Sequence, residues 1–320
     1  MSILKPDWRD KKITISNLFG NYNLFRVKKV QKVHLISFAT SNFKRSKTRF
    51  LRQAMETQWY ESVVAYDEVA LRSLITEGFD RFVEGKGCGF WKWKPVIIYH
   101  RLLDLDDGDI LQYCDVGCYL RKEGNARFME YLNFMLEHDG LFFEACPSKL
   151  SGSLVDSRTF FLGTEEIWTK EYVFRFFEIP NNNLIRTSPG YGATTFFVKK
   201  NQKTLDFFKE MSELARKQPE LFDDELMGYH NDKLISHRHD QSVMSIKLKK
   251  SSDLELYVLS GFENWYPSKD GTHADWGKLK KSPIWFKRDR SNTLFGVLQQ
   301  KFMAVPRILI RKIKKLNATK

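Results

Sequence analysis

No stretch of roughly 18 consecutive apolar residues occurs in the chain, so no helix is expected to cross a bilayer. The opening residues, MSILKPDWRDKK, lack the continuous apolar core of a secretory signal, which predicts a cytoplasmic chain. Cysteine is scarce. Cys88, Cys114, Cys118 and Cys146 are the whole set, expected as free buried thiols in a reducing compartment. Cys114 and Cys118 are expected on one face of one strand, poor geometry for chelation, so no zinc site is expected. After Asp289 there is no acidic residue at all, and no internal repeat is visible anywhere.

What is present points to a large folded domain that meets anions. At 320 residues the chain can bury a full core. Aromatic residues make up 14% of it, too many for a disordered chain and suited to stacking surfaces. The formal charge of +13 implies nucleic acid, phosphorylated small molecules or an acidic membrane as company.

Strands and helices alternate. VHLISFA (Val33 to Ala39) reads as a buried strand running into a polar, basic loop and a helix near Ser46 to Thr57. A nucleotide commonly docks at such a strand end, which makes Ser37 a candidate for contacting it; a solvated basic helix face is the plainer reading of the loop. ESVVAYD and EVALRSLI fit a second strand and helix, supporting a mostly parallel sheet with right-handed crossovers.

The densest stretch is GKGCGFWKWKPVIIYHRLLDLDDGDILQYCDVGCYL, Gly85 to Leu120. Pro95 suits the first position of a helix, and Lys92 and Lys94 just before it would suit a diphosphate. Trp91 and Trp93 can stack on a base or sugar, or simply pack in the core. The strand Ile110 to Cys114 ends at Asp115, followed by Val116 and Gly117. A carboxylate there forms a turn or holds a hard cation against phosphate oxygens. Further on, NARFMEYLNFMLEH predicts a helix and LFFEAC a strand. Ser148 to Gly163 predicts a flap, Ile167 to Ile179 a helix, and Gly190 and Gly192 a loop before another strand. A second cluster, HRHDQS, holds His237, His239, Asp240 and Gln241 at the start of a helix. Asp240 there is a capping carboxylate or, with His239 and Gln241, part of a catalytic wall.

The run GxGFWKWKP, then DGDILQYCDVG, then HRHDQS resembles a family of bacterial GT-A-type glycosyltransferases of capsule and lipopolysaccharide O-antigen assembly. Its members show G-Y-W-x-W-K-P, then G-D-I-L-x-Y-x-D-x-G, then H-R-H-D-Q-S, and the likeness spans roughly Val33 to Leu248. It implies a GT-A-like, Rossmann-type α/β fold with a mostly parallel sheet flanked by helices. It also implies a nucleotide-diphosphate sugar as donor and a glycan or lipid-linked hydroxyl as acceptor. Asp115 stands where other GT-A enzymes carry Asp-x-Asp for Mn²⁺ or Mg²⁺, but Gly117 replaces the second aspartate. On this reading Asp240, with His239 as runner-up, is the catalytic candidate, and Ser37, Lys92, Trp93, Lys94 and Asp115 are the candidates around the donor. Trp91, Gly117, His237 and Gln241 would contact substrate, with Asp115 on the metal. Thr169-Lys170 matches a pair common in that family, although read locally Lys170 is an exposed lysine.

The expected domains are a basic lead-in (1–32), the transferase domain (33–290) and a basic amphipathic helical tail (291–320). Leu294, Leu298, Phe302, Val305, Leu309, Ile313 and Leu316 recur at helical spacing among lysines and arginines. That pattern suits an anionic membrane surface, as a peripheral enzyme would use, or packing on the protein's own body. Two rival classes remain, a nucleic-acid-binding protein and a non-catalytic scaffold at a membrane. The first is disfavoured because the charge gathers in the lead-in and tail and does not alternate with aromatics.

Overall fold

The computed structural model describes residues 31–145, 163–266 and 274–287. The lead-in up to residue 30, nearly all of the flap, residues 267–273 and the tail lie outside the described residues.

Strands β1 (Val33–Phe38), β2 (Ser62–Tyr66), β3 (Ile110–Cys114), β5 (Gly140–Phe143), β6 (Thr195–Lys199) and β7 (Leu256–Leu259) form one sheet in the order β2-β1-β3-β6-β5-β7. Only β6 runs antiparallel; the pairs β1–β2, β1–β3 and β5–β7 are parallel. A small ribbon pairs β4 (Tyr119–Leu120) with β8 (Ile284–Trp285). The longer helices are α1 (Lys44–Thr57), α2 (Glu68–Leu74), α3 (Trp93–Leu103), α4 (Asn125–Glu137), α5 (Gln202–Lys217) and α6 (Asp240–Lys250).

Side-chain alternation in the strands sets the layers. Ile36 and Phe38 of β1, with Leu111 and Tyr113 of β3, face the core shared with α2, α3, α5 and α6. Val33 and Leu35, with Ile110 and Cys114, face the opposite core against α1 and α4. Leu35 and Ile36 are fully buried, each contributing about 1.5–3 kcal/mol. The α/β sandwich with a mostly parallel sheet is therefore the fold expected from the strand–helix alternation.

Three local expectations need correction. Pro95 is the third residue of α3, not the first; its missing N–H still falls among the first-turn amides that no helical carbonyl reaches. The single helix expected over 167–179 is two short ones, Glu165–Trp168 and Glu171–Phe176, with Thr169 and Lys170 extended between them. Cys114 and Cys118 do not share a strand: β3 stops at Cys114 and a turn intervenes, although both thiols are free and buried in one core.

Candidate active site

The five parallel strands end on the same edge of the sheet, the edge where α/β proteins bind ligands. Asp67 follows β2, Asp115 follows β3, Glu144 follows β5, and α6 opens there with Asp240. Asp67 is already used: it caps α2 through the Ala70 amide and pairs with Lys47 at 3.2 Å.

The stretch before α3 has an unusual backbone. Gly87, Cys88, Gly89, Phe90 and Trp91 all have positive φ, forming a left-handed turn. For the three non-glycine residues this costs about 1–2 kcal/mol each, and the glycines keep the rest of the turn free of that cost. A Cβ at Gly89 would come within 2.1 Å of the Phe82 carbonyl oxygen, so the turn also needs glycine for close approach. Trp93 locks it, donating its indole N–H to the Gly87 carbonyl at 3.0 Å while stacking on Phe38 at 4.0 Å. The turn divides the two tryptophans. Trp93 is 4% exposed and belongs to the core. Trp91 is half-buried and lies against His239, ring centroids 5.3 Å apart.

The two lysines separate likewise. Lys92 is buried, with its ammonium 5.1 Å from the Phe82 ring; burial lowers its pKa. Lys94 turns inward to the strand edge. Its Nζ lies 2.6 Å from Asp240 Oδ2 and 3.8 Å from Asp115 Oδ1, and donates to the Ala193 carbonyl at 2.9 Å. The Tyr113 hydroxyl donates to Asp115 Oδ1 at 2.6 Å, and the Asp115 amide bonds the Thr194 carbonyl. One ammonium thus joins α3, the end of β3, the loop before β6 and the start of α6. Neither lysine stands free for a diphosphate: Lys94 is held by protein acceptors and Lys92 by the core.

The carboxylates differ in exposure. Asp115 leaves 34% of its side chain open, Asp240 10%. Burial pushes the Asp240 carboxyl up to about 6, with the Asp115 charge adding and Lys94 opposing. Gly117 sits half-buried in the turn after Asp115, a turn pinned by Arg49, whose guanidinium donates to the Val116 and Cys118 carbonyls.

The histidines form the next wall. His239 precedes α6 with φ 53° and ψ −121°, a strained conformation of the kind that surrounding structure must enforce. Its Nδ1–H donates to the Phe222 carbonyl at 2.7 Å. Nε2 is therefore left as an acceptor, 3.3 Å from Lys86 Nζ and 3.7 Å from Asp224. Burial lowers its pKa. His237 is occupied at both nitrogens: Nε2–H donates to the Leu221 carbonyl and Nδ1 receives the Lys170 amide. Burial, with the Lys170 charge, brings it down to about 3, so the ring stands neutral with both nitrogens already bonded to backbone groups. Gln241 is half-buried in the first turn of α6. Ser37 is fully buried and its hydroxyl has no hydrogen-bond partner; the parallel register that pairs Ile36 with Tyr113 sets it near the end of β1, one position short of the edge.

Lys170 is the clearest reversal. It is wholly buried, and its ammonium bonds Asp223 Oδ1 at 2.8 Å and the Asp223 and Glu225 carbonyls at 2.9 and 2.7 Å. That clamp shapes the segment whose Phe222 carbonyl orients His239. Sequence reasoning also passed over Tyr113 and Lys86. Tyr113 stands two residues before Asp115, and that spacing on one strand face was a usable signal; Lys86 carried none.

The donor set around Asp115 does not suit a resident divalent ion. Among the described residues no three His, Cys, Asp or Glu side chains converge on a metal position. The neighbours of Asp115 are a phenol and an ammonium, where a hard cation needs several oxygen ligands.

No protein-family model matches the chain, and no curated protein sequence matches it. Solved structures do. Mouse xyloside xylosyltransferase 1 (apo form) is similar at 10% identity and a TM-score of 0.41, over 82% of this chain and 99% of that one. A glycosyltransferase involved in glycosylation of the major capsid of PBCV-1 has the same identity and score, 10% and 0.41, over 79% and 93%. The 4-diphosphocytidyl-2C-methyl-D-erythritol synthase of Anaerococcus prevotii DSM 20548 is similar at 11% identity and 0.34, over 78% and 95%. What the site does must follow from its own side chains.

Proposed function

We propose that this chain is a glycosyltransferase that moves a sugar from a nucleoside-diphosphate donor to an acceptor hydroxyl. The observation that carries this reading is the meeting of Asp115 and Asp240, from two separate sequence blocks, on the Lys94 ammonium at the ligand-binding edge. The resemblance of those same blocks to surface-polysaccharide transferases supports a glycan or lipid-linked acceptor in capsule or O-antigen assembly.

In the inverting course, the acceptor hydroxyl gives its proton to Asp240 and its oxygen bonds to the sugar's anomeric carbon. The bond from that carbon to the phosphate oxygen breaks, and its electron pair leaves with the nucleoside diphosphate. A carboxyl held near 6 is mostly ionised at neutral pH yet basic enough to take the proton, which is the balance a general base needs. Asp115, the more open carboxylate, orients the donor sugar. Trp91 offers a half-open aromatic face beside His239, whose Nε2 accepts from the rim ammonium of Lys86 or from a substrate hydroxyl.

The test is incubation of the full chain with a panel of nucleotide sugars and simple glycoside acceptors, with the product anomer assigned by NMR. Inversion with turnover lost in Asp240→Asn supports the mechanism. Retention removes Asp240 from the role of base, and the absence of any donor consumption removes the activity.

A further inference from the structure

Lys94 raises a question that the transferase reading leaves open. A site holding two carboxylates repels a diphosphate unless a positive charge sits between them. Such sites usually recruit a divalent ion for that purpose. Here the chain supplies a charge of its own. The Lys94 side chain is 4% exposed, and it approaches Asp240 at 2.6 Å, the Ala193 carbonyl at 2.9 Å and Asp115 at 3.8 Å. The ammonium donates a hydrogen bond to the Ala193 carbonyl, is ion-paired closely with Asp240 and lies within longer electrostatic reach of Asp115. The Tyr113 ring lies 4.8 Å from the same nitrogen and the Trp93 ring 5.8 Å, both at cation–π range.

Resting on the reading of this edge as a nucleotide-sugar site, we infer that Lys94 is the site's built-in cation, and that the chain binds nucleoside diphosphates without a divalent ion. An ion bridging Asp115 and Asp240 would have to occupy the space that the ammonium fills. Removing the ammonium breaks its contacts to α6, β3 and the loop before β6 together, so displacement by a metal is not a local change. Gly117 fits the same scheme: with a lysine cancelling charge from one side, a second aspartate after Asp115 has no ion to hold. Lys86 places another ammonium at the rim, 3.3 Å from His239 Nε2, the same nitrogen that lies 3.7 Å from Asp224 Oδ1.

The experiment uses the full chain stripped with EDTA. UDP, GDP and CDP are titrated by calorimetry in excess EDTA and again in Mn²⁺, and Mn²⁺ binding to the stripped protein is followed separately by its EPR signal. At least one diphosphate is expected to bind, with its Kd changing by less than about tenfold between the two conditions. No Mn²⁺ site is expected up to about 1 mM. In Lys94→Gln the two carboxylates lose their partner, so a Mn²⁺ site should appear, and adding Asp115→Asn should remove it. Lys94→Arg should keep metal-free binding. Tightening of about tenfold or more with Mn²⁺, or a wild-type Mn²⁺ site that Asp115→Asn abolishes, overturns the inference while leaving the transferase reading intact. Failure of every diphosphate in both conditions overturns the nucleotide-sugar reading and this inference with it. Because the wild-type titrations stand alone, an unfolded Lys94 variant does not blunt the test.

Discussion

A buried polar cluster sits at each edge of the sheet, and the two serve opposite ends. Where β1, β2 and β3 begin, His34 Nδ1 lies 2.7 Å from Ser62 Oγ and His34 Nε2 lies 3.3 Å from Asp109 Oδ2. By residue type this is a Ser–His–Asp relay. Yet Arg101 already donates to Ser62 Oγ at 2.6 Å, and only 3% of the Asp109 side chain is open. Burial lowers the His34 pKa, with Asp109 opposing, so the neutral ring accepts from Ser62 and donates to Asp109. The cluster ties three strand starts to α3. Where the strands end, Lys94, Asp115 and Asp240 make a second ion-paired group, but a third of the Asp115 side chain remains open. Residue types do not separate a lock from a site. The edge of the sheet, and which atoms are left uncommitted, do.

Substitutions should drive the two clusters apart. The largest effect is expected from Asp240→Asn, which should lower turnover by about 10²–10⁴-fold. Its stability should also follow pH differently from the wild type. A carboxyl raised to about 6 from an unfolded value near 3.9 favours the fold fully below the lower value and loses that contribution as pH rises through the upper one. In paired urea titrations the wild type should therefore lose stability relative to the asparagine variant as pH rises from about 4 to about 8, while the variant carries a constant cost from leaving the buried Lys94 ammonium without its charged partner. Lys94→Met should act on both axes, lowering turnover less than Asp240→Asn does and destabilising by about 3–5 kcal/mol, because it strands a buried carboxylate. A folded Lys94→Met chain of unchanged stability would sever the proposed tie between α3 and α6.

The remaining predictions test the locks. His237, depressed to about 3, favours the fold above its unfolded value near 6.5 and loses that contribution as pH falls. Between pH 7 and pH 5 the wild type should lose about 2 kcal/mol more than His237→Gln loses, measured by paired urea titrations. Asp109→Asn should cost about 1–3 kcal/mol of stability and leave turnover untouched. A drop in turnover without a drop in stability would make the amino edge more than a lock.

The legible and illegible parts of this chain divide along physical lines. The strand–helix order could be read because alternation and helical spacing are local. The site's two blocks could be read because Lys94, Asp115 and Asp240 lie within dense runs. Their junction could not, since an ammonium 2.6 Å from one carboxylate and 3.8 Å from another is a tertiary fact. The same holds for the Ala193 carbonyl and for the antiparallel direction of β6, which period-two alternation does not encode. Lys170 misled because a lysine is rarely buried unless paired, and its partners at Asp223 and Glu225 lie far along the chain. Trp91 and Trp93 are indistinguishable by composition; a left-handed turn sends one to the rim and the other to the core.

The most direct test of the central claim compares the wild type, Asp240→Asn and His34→Gln on one panel of nucleotide sugars, with donor binding and turnover measured separately. The account predicts that at least one donor binds all three with similar affinity. It predicts turnover in the wild type and His34→Gln, and about 1% of it or less in Asp240→Asn. A donor turned over equally by Asp240→Asn, or loss of turnover in a folded His34→Gln, would contradict it.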